Sequence, residues 1–102
     1  MTDVVIVPQN DVVLNQKPRI ERHLRLQWEE AQNAFVLLYP EGMIKLNESA
    51  GAILSCCNGE KNIQEIITFL ANKYPDVGPE NIKQDILDFF AEANTQRWVC
   101  YD

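Results

Sequence analysis

Little in this sequence lends itself to catalysis. Histidine occurs once, at His23, and the four glycines, Gly42, Gly51, Gly59 and Gly78, are scattered, so no run of consecutive N–H groups can cradle a phosphate. Cysteine occurs three times, but Cys56 and Cys57 are adjacent and Cys100 stands far away. That spacing fits neither a CxxC redox pair nor a zinc knuckle, and a bridge between neighbours is strained, so the thiols read as reduced and structural, with Cys57 on a buried helical stripe. No apolar run approaches the roughly 20 residues that cross a bilayer. The N-terminus has neither a basic start nor a long apolar centre, and a cytoplasmic protein is expected. Cations are outnumbered, with 9 Lys and Arg against 15 Asp and Glu for a net charge of -6. Such a field opposes non-specific binding to nucleic acid or anionic lipid.

What is present is one ordinary globular domain. With 102 residues, 46% of them hydrophobic, the chain can bury about 60 to 65% of its unfolded surface around a single core. It is organised around residues 42–74, GMIKLNESAGAILSCCNGEKNIQEIITFLANKY. Met43, Ile44 and Leu46 form a short strand that stops at Asn47, an N-cap whose side-chain oxygen can accept from an N–H one turn on. Ala50, Ile53, Leu54 and Cys57 then follow helical spacing to an exit at Asn58-Gly59. Asn62 opens a second helix with Glu65 three residues later, as in a capping box, and Ile63, Ile66, Ile67, Leu70, Ala71 and Tyr74 hold one stripe until Pro75.

Before this stretch, Leu24, Leu26 and Trp28 alternate with His23, Arg25 and Gln27 in a half-buried strand. Residues 29–33 turn, and Ala34-Phe35-Val36-Leu37-Leu38-Tyr39 is the strongest β-run, apolar enough to be central or covered on both faces. Pro40-Glu41-Gly42 turns again into the third strand, and connections this short impose an antiparallel meander. After the helix pair, Pro79 suits the first position of a last helix running to about Asn94, with Ile82, Ile86, Phe89, Phe90 and Ala93 buried and Leu87 widening the stripe. Residues 96–101 finish as a short strand or packed tail. The expected fold is α+β and winged-helix-like, a three-stranded antiparallel sheet followed by three helices. Residues 1–16 form an N-terminal extension in which Val4-Val5-Ile6-Val7 and Val12-Val13-Leu14 flank a turn. They read either as a flexible arm or as an edge strand added to this chain or exchanged with a second copy in a homodimer, and residues 17–102 form the peptide-binding domain proper.

Candidate chemistry is sparse. His23 reads as a surface or packing residue, and Asp85, Asp88 and Glu92 on the last helix read as a solvated face. Domains of this shape often bind DNA, but a recognition helix must offer donors to the major groove, and Lys83 and Gln84 are outweighed there by Glu80, Asp85, Asp88 and Glu92. The DNA-binding regulator is therefore the alternative, and a subunit that only stabilises an enzyme is a third reading. The feature left over is the edge of the third strand, residues 42–46, whose unpaired backbone groups can accept an extended peptide. With the last helix walling the groove, burial of roughly 400 Å² of apolar surface is worth about 10 kcal/mol gross. Ordering the peptide offsets much of this at about 1 to 2 kcal/mol per residue, so micromolar to high-nanomolar binding is expected.

Several stretches together resemble the PqqD family of pyrroloquinoline quinone biosynthesis: Lys17-Pro18-Arg19-Ile20-Glu21-Arg22-His23-Leu24-Arg25-Leu26, Val36-Leu37-Leu38-Tyr39-Pro40-Glu41, Leu46-Asn47-Glu48-Ser49-Ala50-Gly51-Ala52-Ile53-Leu54, Cys57-Asn58-Gly59, Gln64-Glu65-Ile66 and Asp85-Ile86-Leu87-Asp88-Phe89-Phe90. The resemblance implies a non-catalytic peptide chaperone without cofactor, a RiPP recognition element that binds the precursor peptide PqqA and presents it to the radical S-adenosylmethionine enzyme PqqE. It implies that the peptide lies along Met43, Ile44, Lys45 and Leu46 and against Ile82, Lys83, Ile86, Leu87 and Phe90. Of the helix residues, Lys83 and Leu87 are the better choices, since Ile82, Ile86 and Phe90 share the core stripe. One departure is that many relatives have a glycine where this chain has Arg97, before Trp98 and Val99.

Overall fold

The computed structural model describes residues 12–101. Most of the expected extension, including Val4-Val5-Ile6-Val7, lies outside these residues. The described elements are β1 (Pro18–Ile20), β2 (Arg25–Glu29), β3 (Ala34–Tyr39), β4 (Gly42–Lys45), α1 (Glu48–Leu54), α2 (Ile63–Lys73), α3 (Pro79–Gln96) and β5 (Val99–Tyr101). The α+β arrangement expected from the sequence is present, with an antiparallel sheet in the order β2-β3-β4 followed by three helices. The strand expected to be third is the fourth along the chain.

The central place of β3 follows from its composition. Val36 and Leu37, on opposite faces of the strand, are both fully buried. The register pairs Gln27 with Val36 and Leu37 with Ile44, so Leu26, Leu37, Ile44 and Leu46 share the face that packs under the helices. Asn33 turns the β2–β3 connection with φ 52°, a left-handed value that asparagine accepts more readily than most residues.

Both expected N-caps are made. The Asn47 side chain accepts from the Ala50 N–H at 2.8 Å. At α2, Asn62 and Glu65 exchange bonds of 2.8 Å, and the next two helix-entry N–H groups, of Ile63 and Gln64, donate to the carbonyls of Gln16 and Leu14. Residues 14–16 thereby complete the hydrogen bonding of a helix end that would otherwise need water. The helix expected to reach Asn58-Gly59 ends earlier, at Leu54. Cys56 and Cys57 donate to carbonyls three residues back, tightening the turn, and the Gly59 N–H goes to Pro18. Gly51 lets α1 approach β3, for a Cβ there would lie 3.0 Å from Phe35 Cδ2.

A second, two-stranded sheet was not expected at β1, because a three-residue strand opening on proline carries no alternation to read. Pro18 pairs with Tyr101 and Ile20 with Val99. The chain end thus closes as a strand, one of the two outcomes the sequence left open. The turn into it is made by Arg97 at φ 60°, which returns the Trp98 N–H to the Ala93 carbonyl at 2.9 Å. The Tyr101 hydroxyl donates to Asn94 Oδ1 at 2.6 Å and locks the strand to α3.

Two predictions follow from this packing. Burial pushes the Cys57 thiol far above its ordinary 9.0 and the Tyr101 hydroxyl up from 10.0 to about 12. The fold favours the neutral forms, so their contribution is complete below the unfolded values and is lost as pH rises from about 9 toward the folded values. Unfolding free energy from urea titrations is expected to be flat to pH 8, then to fall by up to about 1.4 kcal/mol per pH unit per group, with a shallower slope in Cys57→Ala. Arg97 bears a left-handed strain that glycine escapes, and Arg97→Gly is expected to raise the same free energy by about 0.5 to 1 kcal/mol.

Candidate functional site

The alternation of hydrogen bonds along β4 decides which of its groups are open. The Leu46 N–H donates to the Phe35 carbonyl at 3.0 Å. In an antiparallel ladder every second residue faces the partner strand, so in the register Leu37 with Ile44 and Tyr39 with Gly42, the backbones of Leu46, Ile44 and Gly42 turn to β3. Those of Met43 and Lys45 turn the other way, to an edge that no described strand covers. Side chains divide in the same manner. Leu46 is buried and Ile44 is packed on the core, whereas Lys45 is exposed and Met43 is 53% exposed. Of the four strand residues expected to meet a ligand, Met43 and Lys45 present open backbone, and Ile44 and Leu46 serve the sheet.

On α3, Ile82, Ile86 and Phe90 are buried in the core. Lys83 and Leu87 lie on the flank turned to α2, where with Ile67, Ala71 and Gln84 they line a cleft of about 620 Å³. Two hollows border other parts of α3. Toward the start of α3, Asp85 and Ile86 share a hollow of about 430 Å³ with Asn47 and Ser49. Toward its end, Gln96 and Trp98 share one of about 290 Å³ with Tyr39, Pro40 and Glu41. The residue that follows β4, Asn47, thus adjoins the first half of α3 and the one that precedes it, Glu41, adjoins its end; the helix positions between are Asp85, Phe89, Glu92 and Gln96, at i, i+4, i+7 and i+11. Phe89 packs at 6.1 Å on Trp98 and at 5.5 Å on Phe90. Asp85, which lines the first hollow, and Phe89, which packs on Trp98, were not among the site residues expected from the sequence.

The outward row of Met43 and Lys45 has the backbone groups that an extended chain pairs with. Among the described residues no three of His, Cys, Asp and Glu gather as metal ligands, and no helix is long and apolar enough to cross a membrane. The Cys56 and Cys57 thiols donate to the Ala52 and Ile53 carbonyls, and burial raises both above the ordinary thiol range. The outer face of α3 carries Glu80, Asp85, Asp88 and Glu92, with Gln84 donating to Asp88 and Gln96 to Glu92, which is a poor face for a phosphate backbone.

Comparison with known proteins gives the family. The profile described as "Coenzyme PQQ synthesis protein D (PqqD)" matches residues 34–99. The chain belongs to the PqqD family. Relatives named "PqqA binding protein" include one from Azotobacter vinelandii, 42% identical over 88% of this chain and 96% of the relative, and one from Stutzerimonas stutzeri, 44% identical over the same shares. A third, from Acinetobacter baylyi, is 39% identical over 93% of both chains. The fold is similar to the solution NMR structure of the PqqD truncation of Methylobacterium extorquens PqqCD, described as a functional and stand-alone RiPP recognition element. That similarity has a TM-score of 0.67 and 34% identity over 81% of this chain and 87% of the other.

The alternation on β4 of this PqqD-family chain is open to direct measurement. In amide hydrogen exchange the Ile44 and Leu46 N–H groups are expected to be protected at least about tenfold more than those of Met43 and Lys45. Equal protection at all four positions would show that the outer row is already bonded.

Proposed function

We propose that this chain is a non-catalytic peptide chaperone that binds the precursor peptide PqqA by strand addition and presents it to the radical S-adenosylmethionine enzyme PqqE in pyrroloquinoline quinone biosynthesis. The observation that carries this reading is the outward row of Met43 and Lys45, which no described strand covers. The relatives named for PqqA binding supply the ligand. The peptide lies antiparallel to β4 and exchanges backbone bonds with Met43 and Lys45. Each such bond is worth about 0.5 to 1.5 kcal/mol net, so the row sets register and direction more than affinity. Affinity comes from apolar peptide side chains covered by Phe89 and the exposed part of Met43. The protein holds the peptide extended, a state in which its reacting side chains stay available to an enzyme, and no step here needs a cofactor of its own.

Lys45→Pro deletes one outward donor at an edge position that tolerates proline, leaving the β3 ladder intact. PqqA titrated into this variant is expected to bind at least about tenfold more weakly than to the wild type, with the folded state unchanged by circular dichroism. Wild-type binding is expected to change less than about threefold between 50 and 300 mM salt, in contrast to the steep loss of a phosphate-binding protein. Unaltered affinity in Lys45→Pro would remove strand addition at β4 from the reading.

A further inference from the structure

The flank of α2 turned away from α3 carries a cluster that peptide binding does not use. The cleft between the two helices takes Ile67, Thr68 and Ala71, which leaves Phe69 and Lys73 on the opposite side of the helix. Phe69 is 43% exposed, and its ring centroid lies 5.0 Å from Lys61 Nζ and 5.9 Å from Lys73 Nζ. Lys73 Nζ is also 5.8 Å from the centroid of Tyr74. Neither ammonium is paired with a carboxylate among the described residues. The nearest acid on the helix, Glu65, is engaged through Oε1 by the Asn62 N–H at 2.8 Å.

This face extends beyond α2. Tyr74 lines a hollow with Lys73 and Trp28, and Trp28 is an exposed apolar residue. Glu48 lines the same hollow and is the carboxylate that borders it on the α1 side. A ring held between two unpaired cations, on a chain of net charge -6, is complementary to an acidic surface, whereas the outer face of α3 would repel one. Aromatic residues ringed by charge are also the usual centres of protein interfaces, and the charges speed and orient the encounter.

We propose that the Lys61, Phe69 and Lys73 face docks a protein partner that presents carboxylates around an apolar side chain, and that this partner is the enzyme receiving the peptide. The inference rests on the delivery reading above. Phe69 and Lys73 lie on α2 and Lys61 just before it, whereas the outward peptide row is on β4, so the peptide and the enzyme bind at different places and can be bound together.

The test uses purified full-length protein, PqqA and PqqE, with calorimetric titration of each ligand against wild type, Phe69→Ala and Lys73→Glu. Both variants are expected to bind PqqE at least about tenfold more weakly while PqqA affinity and the thermal midpoint hold. Wild-type binding to PqqE is expected to weaken with salt, and that of Lys73→Glu to weaken less. Wild-type affinity for PqqE in both variants overturns the proposal, as does a parallel loss of PqqA binding. A wild type that fails to bind PqqE at all strikes the delivery reading itself, and the docking face falls with it. Lys45→Pro keeps the two apart, since it is expected to lose PqqA and to retain PqqE.

Discussion

The arrangement depends on the half-used hydrogen-bonding capacity of β4. A strand has two rows of backbone groups, and here one is satisfied by β3, anchored where the Leu46 N–H meets the Phe35 carbonyl. The other row, at Met43 and Lys45, has no partner among the described strands. Buried backbone groups are almost always paired, so a row left open has to remain at the surface until something extended fills it. The same alternation sends Ile44 and Leu46 into the core, so the strand cannot shift by one residue without exposing them. Register and openness are therefore one property.

The helices convert that edge into a groove. Asn47 caps α1 immediately after β4, and Gly51 lets α1 settle onto Phe35, so the strand leads directly into the helix layer. α3 is then shared by two neighbours. Its Lys83 and Leu87 flank closes on α2, its Asp85 side lines a hollow with α1, and Ile82, Ile86 and Phe90 are buried in the core. The strand pair β1 and β5, the Arg97 turn and the bond from Tyr101 to Asn94 hold the far end of α3 in place.

A division of the surface follows from the same layering. The open edge of β4, the acidic face of α3 and the Phe69 ring of α2 belong to three different elements.

The local chemistry of the sequence was enough to determine the meander, both asparagine caps, the proline start of α3 and most of the buried residues of each helix, because these depend on contacts within a few residues. It also indicated an open edge along residues 42–46 and the family resemblance. Tertiary structure alone decided which flank of α3 closes on α2. Helical periodicity locates the centre of a buried stripe but not its borders, so Phe89, expected in the core, is only partly buried. The pairing of Pro18–Ile20 with Val99–Tyr101 was hidden for a related reason: two three-residue strands at opposite ends of the chain are stabilised by each other and leave no pattern in either one.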